Sequence, residues 1–169
     1  MRFLIIFIFL MSSSFANEVT GIKNLVINKE FKKYHGLTFL DDKGKILDLN
    51  DYKGNLILLN FWATWCAPCK KEMPSLDVLQ SHENLNNLKI FPINVGQDNF
   101  EKSSKFFEDL EIKNLKIFFD SPVTLAKKFR LRGIPTSILL NKEGLEFARI
   151  VGSIDFEDKR FIDWLSTYN

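Results

Sequence analysis

The sequence lacks any strong excess of charge of one sign. Its 23 Lys and Arg residues nearly balance 21 Asp and Glu residues, which leaves a formal net charge of +2. No basic tail or cluster along the chain suggests a nucleic-acid-binding domain, which usually carries one. Internal repeats and low-complexity linkers are also missing after residue 17. The composition therefore makes nucleic acid a poor candidate partner and favours a single domain.

Long hydrophobic runs are also absent near the N-terminus, where the unbroken apolar run 3–11 has only nine residues. As a helix it would span about 14 Å, roughly half of a bilayer core. Arg2 is the only charge before Glu18, and Ser-Phe-Ala at 14–16 supplies small residues for a signal-peptidase site. We therefore predict a signal peptide over 1–16 that is cleaved. The alternatives are an uncleaved membrane anchor and a buried first strand.

Cysteine is scarce, since the chain has only Cys66 and Cys69. Small secreted domains that use cysteines as staples spread them along the chain, so that each bridge closes a long loop. A bridge between two residues so close in sequence constrains the unfolded chain very little. Structural stapling is therefore a poor reason for this pair. In an oxidising compartment, such a pair is expected to cycle between dithiol and disulfide unless it is buried.

The hydrophobic residues, 46% of the composition, suffice for a core. Residues 37–40 and 45–49 flank an Asp-Asp-Lys-Gly turn and predict a β-hairpin. The nearly continuous apolar run 56–62 predicts a central strand that is covered on both faces. A helix is expected over 67–80, with a kink at Pro74, because proline cannot donate a backbone hydrogen bond.

Strands and helices are predicted to alternate in the rest of the chain. The expected strands are 89–95, 117–119, 137–140 and 146–151, the last two as a hairpin. The expected helices are one capped by Asp98 or Asn99, one that starts at Ser121-Pro122 and ends near 130, and one that starts near Ser153 or Asp155. No element is assigned to 17–33. This order predicts an α/β fold with a mixed central sheet flanked by helices.

The segment Trp65-Cys66-Ala67-Pro68-Cys69 lies where the central strand is predicted to give way to the helix. The thiolate is the nucleophile in disulfide exchange, whereas a free thiol with a pKa of about 8.5 is mostly protonated at neutral pH. A helix N-terminus offers unpaired N–H groups and partial positive charge, which favour a thiolate at Cys66. Cys69, one turn further on, is placed to resolve a mixed disulfide. Pro68 suits the first turn of a helix.

Other interpretations of the cysteine pair stay open at this point. Cys66, Cys69 and His82 copy most of a zinc-finger spacing, but no second histidine follows at the right distance. His35 is the only other histidine, so a four-ligand site would be irregular. The cysteines also fit inert core residues or a static disulfide. We expect no metal and no cofactor, and we expect His82 at a helix end on the surface.

Two segments together carry a family resemblance. Residues 60–74 read NFWATWCAPCKKEMP and strongly resemble the TlpA/ResA-like thioredoxins, which are exported thiol-disulfide reductases, several of them serving cytochrome biogenesis. Residues 133–136, Gly-Ile-Pro-Thr, resemble the second active-site element of that family, although alone they would predict a strand-entry turn. The resemblance implies a thioredoxin-like fold over 37–169, with an N-terminal hairpin and an inserted βα segment. A lead-in at 17–36 would precede it.

The resemblance also implies the layout of the site. It implies a redox-active disulfide between Cys66 and Cys69 and a cis peptide bond before Pro135, next to that disulfide. Apolar surface around Cys66 would dock partner chains. The residues implied to contact the substrate are Trp62, Trp65, Pro135 and the backbone of Ile134.

The sequence departs from its relatives at positions that matter for proton transfer. Thioredoxin itself has a buried aspartate where this chain has Asn60, and an amide cannot accept a proton from the inner cysteine. Some relatives carry a glutamate beside the cis-proline, where Thr136 stands here. Glu72 is near in sequence, but we expect it to be solvated and assign the proton to water. Lys70 and Lys71 would raise the positive potential, or simply form a solvated face.

These observations predict a reductase that acts on disulfides of exported proteins, apocytochrome c being one candidate, and that a membrane thiol donor re-reduces. A disulfide oxidase or isomerase resembling DsbA, and a non-catalytic binding module, are the alternatives. A peroxidase would place its cysteine in a different local context. We expect a monomer in the periplasm, or one anchored to the membrane and facing the periplasm.

Overall fold

Eight strands form one mixed sheet in the computed structural model, which describes residues 21–169. The predicted signal peptide lies outside the described residues. The strands are β1 (Leu25–Lys32), β2 (Thr38–Leu40), β3 (Ile46–Asp48), β4 (Leu56–Trp62), β5 (Leu88–Asn94), β6 (Phe118–Phe119), β7 (Thr136–Leu140) and β8 (Glu146–Val151). The helices are α1 (Ala67–Gln80), α2 (Phe100–Asp109), α3 (Leu125–Lys128) and α4 (Lys159–Ser166). Short 3₁₀ turns lie at Leu49–Tyr52 and Glu83–Leu85.

The strand order is β1-β8-β7-β4-β5-β6-β2-β3, with β4, β5 and β6 parallel and the other pairs antiparallel. This arrangement confirms the predicted mixed sheet. Within residues 21–169, no helix combines the length and the apolar character that a membrane span requires.

Strand β4 is buried along its whole length because both faces of the sheet are covered. On one face, Leu58 and Trp62 pack in a core that includes residues of α1, α2 and α4. On the other face, Leu59 and Phe61 pack in a second core with the β2 hairpin and α3. Each fully buried leucine contributes roughly 2 kcal/mol through the removal of its apolar surface from water. The strand is therefore a rigid support for the residues that follow Trp62.

Strand β1 was not predicted, and it forms one edge of the sheet. It pairs antiparallel with β8, Leu25 lying opposite Ile150, and the register shifts between Ile27 and Lys32. Most side chains of β1 are exposed, so its sequence has no clear pattern of burial. Backbone pairing with β8, two hydrogen bonds from Asn28 Nδ2 to Glu146 and the packing of Leu25 against the core hold this strand in place.

Two helices begin later than the sequence predicts. Asp120 accepts hydrogen bonds from the backbone N–H groups of Thr124, Leu125 and Ala126, so α3 begins at Leu125, and Pro122 lies in the preceding turn. In the last helix, neither Ser153 nor Asp155 is the cap. The N-cap of α4 is Asp158, whose carboxylate accepts from the backbone N–H of Arg160 at 2.9 Å.

Candidate active site

The two cysteines lie at the junction of β4 and α1 and form a disulfide, with their Cα atoms 5.3 Å apart. Cys66 is the N-cap of α1, and its Sγ accepts a hydrogen bond from the backbone N–H of Cys69 at 3.3 Å. Cys66 is 4% exposed and Cys69 is 0% exposed. When the bond is reduced, the N–H groups and the positive end of the helix would favour a thiolate at Cys66. Cys66 is also the more exposed of the two cysteines.

Exposed side chains surround Cys66. Trp65 is 67% exposed, and Ala67 and Pro68 are exposed as well. Trp62 differs from the expectation, because it is 0% exposed and packs against Phe106 and Phe107 of α2. It therefore supports the site from inside and presents no surface to a partner chain.

The Ile134–Pro135 loop lies at the same edge of the sheet. Thr136, which follows Pro135 and begins β7, pairs with Phe61 of β4, four residues before Trp65. The peptide bond between Ile134 and Pro135 is cis, as the resemblance implies. Pro135 is buried and Ile134 is half-buried. Antiparallel pairing of β7 with β4 thus places this loop and the cysteine loop at one end of the two strands.

Asp98, from the segment between β5 and α2, holds the loop that leads to Cys66. Its carboxylate accepts from the Thr64 backbone N–H at 3.0 Å and from the Thr64 hydroxyl at 2.9 Å. It also accepts from Lys102 Nζ at 2.6 Å and Asn94 Nδ2 at 3.0 Å. Burial alone would raise the pKa of Asp98, but the hydrogen bonds from Lys102, Asn94 and Thr64 outweigh burial and lower the pKa to about 2. Asp98 therefore stays ionised at neutral pH. The sequence suggested it only as a helix cap, and that role belongs to Asn99.

Gly96 brings the same segment close to the active-site loop. A Cβ atom at this position would lie 2.5 Å from Ala63 Cβ and 3.1 Å from Trp65 Nε1. Such distances leave no room for a side chain. The glycine therefore lets the backbone after β5 pack directly against the loop that carries Trp65.

Glu72 is the polar residue that sequence reasoning misplaced. It is 2% exposed, not solvated, and its Oε1 accepts from Asn60 Nδ2 at 2.8 Å. The same amide nitrogen donates to Ser137 Oγ at 3.0 Å, which links α1, β4 and β7. Glu72 follows Cys69 by three positions, and residues so spaced on a helix are neighbours on one face. In the sequence, the signal is the spacing of Cys69, Glu72 and Met73, since positions i, i+3 and i+4 share the face of a helix that packs against the core.

The surroundings of Glu72 raise the pKa of its carboxyl group. Burial raises its pKa to about 7 from 4.5, while hydrogen bonds from the Asn60 amide and the Ile154 backbone N–H oppose the increase. Asn60 Oδ1 accepts no hydrogen bond from any residue in 21–169. If the oxygen and nitrogen of the Asn60 amide exchanged places by rotation of the side chain, Oδ1 could accept a hydrogen bond from a protonated Glu72. The asparagine can thus pair with either protonation state of the carboxyl group, which an ionised aspartate could not do.

Comparisons with known proteins agree with this geometry. The family model described as AhpC/TSA matches residues 27–145. The chain belongs to the AhpC/TSA family. The thiol-disulfide oxidoreductase ResA of Geobacillus kaustophilus (strain HTA426) is 32% identical over 118 residues, which cover 70% of this chain and 67% of the relative. ResA of Bacillus subtilis (strain 168) is 31% identical over 114 residues, or 68% of this chain. The resemblance to ResA-like thioredoxins is confirmed.

This AhpC/TSA-family chain spans 63% of the length of the Bacillus subtilis relative. Among solved structures, a thiol:disulfide interchange protein of the thioredoxin family from Chlorobium tepidum TLS is similar, with a TM-score of 0.67 and 22% sequence identity. The match covers 82% of this chain and 99% of that chain. It confirms the thioredoxin-like fold.

The remaining predicted residues lie on the surface of α1 and beyond its C-terminal end. Lys70 and Lys71 are exposed on the first turns of α1. His82 lies beyond the other end of that helix, where its Nδ1 accepts from the Asn84 backbone N–H at 3.3 Å. A helix of 14 residues is about 21 Å long. The helix therefore separates His82 from Cys66 and Cys69, so these three residues cannot bind the same zinc ion.

Proposed function

We propose that the protein is an exported thiol-disulfide oxidoreductase that reduces disulfides in other exported proteins. The observation that carries this proposal is the Cys66–Cys69 pair at the N-terminus of α1, with the buried carboxyl group of Glu72 one turn further along the helix. The names of the ResA relatives support the same chemistry.

The reaction proceeds in two exchanges. The Cys66 thiolate attacks one sulfur of the substrate disulfide, which breaks that bond, forms a mixed disulfide and releases one substrate thiolate. The Cys69 thiolate then attacks Cys66 Sγ, releases the second substrate thiolate and leaves the Cys66–Cys69 disulfide. Two electrons have moved from the enzyme dithiol to the substrate, and a membrane thiol donor returns them to the enzyme.

Glu72 supplies the proton acceptor that the second exchange requires. A buried thiol at Cys69 must lose its proton before it attacks, and a carboxylate with a pKa of about 7 is well matched to accept it near neutral pH. The sequence alone predicted that water takes this proton. The burial and the raised pKa of Glu72 support the carboxyl group instead. Asn60 positions the carboxyl group through the hydrogen bond from its Nδ2 to Glu72 Oε1.

Trapping of the intermediate tests the exchange. Cys69→Ala should accumulate mixed disulfides between Cys66 and a small set of exported proteins, and dithiothreitol should release them. Cys66→Ser is the matched control and should trap none. A Cys69→Ala protein that forms no adduct in an extract of its native envelope would contradict the proposed substrate class.

The equilibrium reduction potential tests the direction. A value near or below thioredoxin's roughly −270 mV would support a reductase, whereas one near DsbA's roughly −120 mV would indicate an oxidase or isomerase. A pair that never exchanges with glutathione or dithiothreitol would leave only a binding module.

We further propose apocytochrome c as a substrate, a periplasmic location after cleavage of the signal peptide, and a monomeric state. Deletion of the gene should then lower cytochrome c, and an added thiol reductant should restore it. Unchanged cytochrome c in the deletion strain would remove this substrate from the proposal.

A further inference from the structure

A cleft that we call the basic cleft lies beside the Ile134–Pro135 loop and encloses about 770 Å³. No acidic residue lines it. The cations that line it are Lys32, Lys33, Lys128, Arg130, Arg132 and Arg149. They come from three separate stretches of sequence, of which only 127–132, reading KKFRLR, is itself rich in cations. Since the formal net charge of the protein is only +2, this surface concentrates positive charge locally.

A buried carboxylate, that of Glu146, pairs with cations of the cleft. Glu146 is 0% exposed, and its oxygens accept from Arg149 Nε at 2.8 Å and Tyr34 Oη at 2.7 Å. Glu146 Oε1 also lies 3.9 Å from Lys32 Nζ, so this carboxylate offsets the charge of Arg149 and part of the charge of Lys32. Among residues 21–169, neither Lys33 nor Arg132 forms an ion pair. Their charges therefore remain available to a partner.

Arg130 adds a second observation. It is exposed and forms no ion pair with any described residue, and its backbone φ is 52°, in the left-handed region. Glycine adopts this conformation without strain, whereas a residue with a Cβ atom does so at a cost. Arg130 follows the end of α3, and the backbone N–H groups of Arg130 and Leu131 donate to the carbonyls of Lys127 and Ala126 at 3.0 Å, a helix C-cap in which a left-handed residue is common. The exposed charge of Arg130 therefore extends from a capped helix end, where glycine could replace the residue without backbone strain.

The basic cleft adjoins the Ile134–Pro135 loop on both sides of that loop in sequence. Thr136 lines the cleft and directly follows Pro135, and Arg132 lies two residues before Ile134. The Pro135 carbonyl accepts from the Gly152 backbone N–H at 2.9 Å, which fixes this edge to the end of β8. A chain that contacts Ile134 while its sulfur meets Cys66 can therefore continue into the cleft.

We propose that the basic cleft binds an acidic segment of the substrate protein, close in sequence to the cysteine that Cys66 attacks. This inference rests on the proposed function. Exposed charges at the rim of an interface mainly increase the association rate and fix the register of the partner. The basic cleft thus selects among disulfides by the charge of the polypeptide around them.

Two synthetic peptides test the proposal. Each carries one cysteine as a mixed disulfide with 2-mercaptoethanol, and they differ only in having glutamates or glutamines near that cysteine. The reduced protein should react about tenfold faster with the glutamate peptide at low salt, since each of three exposed ion pairs contributes roughly twofold. At about 0.5 M NaCl, where charges are screened within a few ångströms, most of this preference should vanish.

Variants then assign the preference to the cleft. The triple variant Lys33→Gln, Arg130→Gly, Arg132→Gln should react equally with both peptides. Arg130→Gly alone should lower the preference by about twofold, its share of the three contributions, without loss of stability. Lys142→Gln, an exposed cation in the turn between β7 and β8, is the matched control and should keep the full preference. All variants should reduce 2-hydroxyethyl disulfide, an uncharged small substrate, at the wild-type rate.

Equal rates for the two peptides with the wild-type protein would overturn the proposal. So would a triple variant that keeps the preference but loses binding to vesicles containing phosphatidylglycerol, because the cleft would then recognise a membrane surface. If even 2-hydroxyethyl disulfide does not react, the proposed function itself fails, and the cleft proposal fails with it.

Discussion

Replacing Glu72 by glutamine removes a carboxyl group whose pKa burial has raised from 4.5 to about 7. Between these values, the folded protein holds a proton that the unfolded chain has released. The free energy of unfolding of the wild type therefore falls as the pH rises from about 4.5 to about 7, and it loses nothing further from this group above that range. The gap from 4.5 to about 7 corresponds to roughly 3 kcal/mol at about 1.4 kcal/mol per pKa unit.

Urea unfolding of the disulfide-bonded proteins, from about pH 4 to about pH 8, measures this difference. Glu72→Gln should gain up to roughly 3 kcal/mol on the wild type across the range, which corresponds to a rise in Tm of about 6–12 °C at the alkaline end. Glu157→Gln, at an exposed glutamate, is the control and should follow the wild type. Parallel stability curves for the wild type and Glu72→Gln would refute the reasoning.

The same variant should be a poorer enzyme although it is a more stable protein. Without the carboxyl group, resolution of the mixed disulfide by Cys69 should slow about 10²-fold at neutral pH, and its rate should no longer change with pH near 7. Attack by Cys66 on a small disulfide should change little. Rapid-quench measurement of the two steps separates them, and equal slowing of both steps would point to a structural role alone.

Three further substitutions test the supports of the site. Asn60→Asp would place a second carboxyl group about 2.8 Å from the buried glutamate, so it should be tolerated near pH 5 and cost roughly 3–5 kcal/mol in urea unfolding near pH 8. Asp98→Ala leaves the Thr64 N–H without its acceptor and should cost about 2–3 kcal/mol, whereas Asp98→Asn should cost less. Gly96→Ala should lower stability by about 1–3 kcal/mol in thermal unfolding, whereas Gly133→Ala, where a Cβ atom meets nothing within 4 Å, should not.

The parts of the fold that the sequence predicted are those determined by local pattern. The bounds of α1, Ala67–Gln80, agree with prediction because local features mark them. Cys66 caps the helix, Pro68 lies in its first turn, and apolar residues recur along one face. Strand β4 was recognisable because a run of apolar residues covered on both faces has few other interpretations. The cysteine pair was recognisable as a redox site for the same local reason.

The parts that sequence did not predict depend on distant contacts. β1 is defined by its pairing with β8, more than 100 positions away, and its own side chains are mostly exposed. Glu72 resembles a surface residue until β4, β7 and the loop after β8 close around it. The basic cleft likewise exists only once three stretches of chain meet.

The outer strands have a consequence for how the protein behaves at high concentration. An open strand edge can template the addition of a strand from another molecule, and proteins protect such edges with short strands, bulges and lysines. Here β3 has only three residues, while β1 has an irregular register and carries Lys29 and Lys32. Neither end of the sheet offers a long regular template, so intermolecular β-sheet growth, the first step toward fibrils, is disfavoured at both ends.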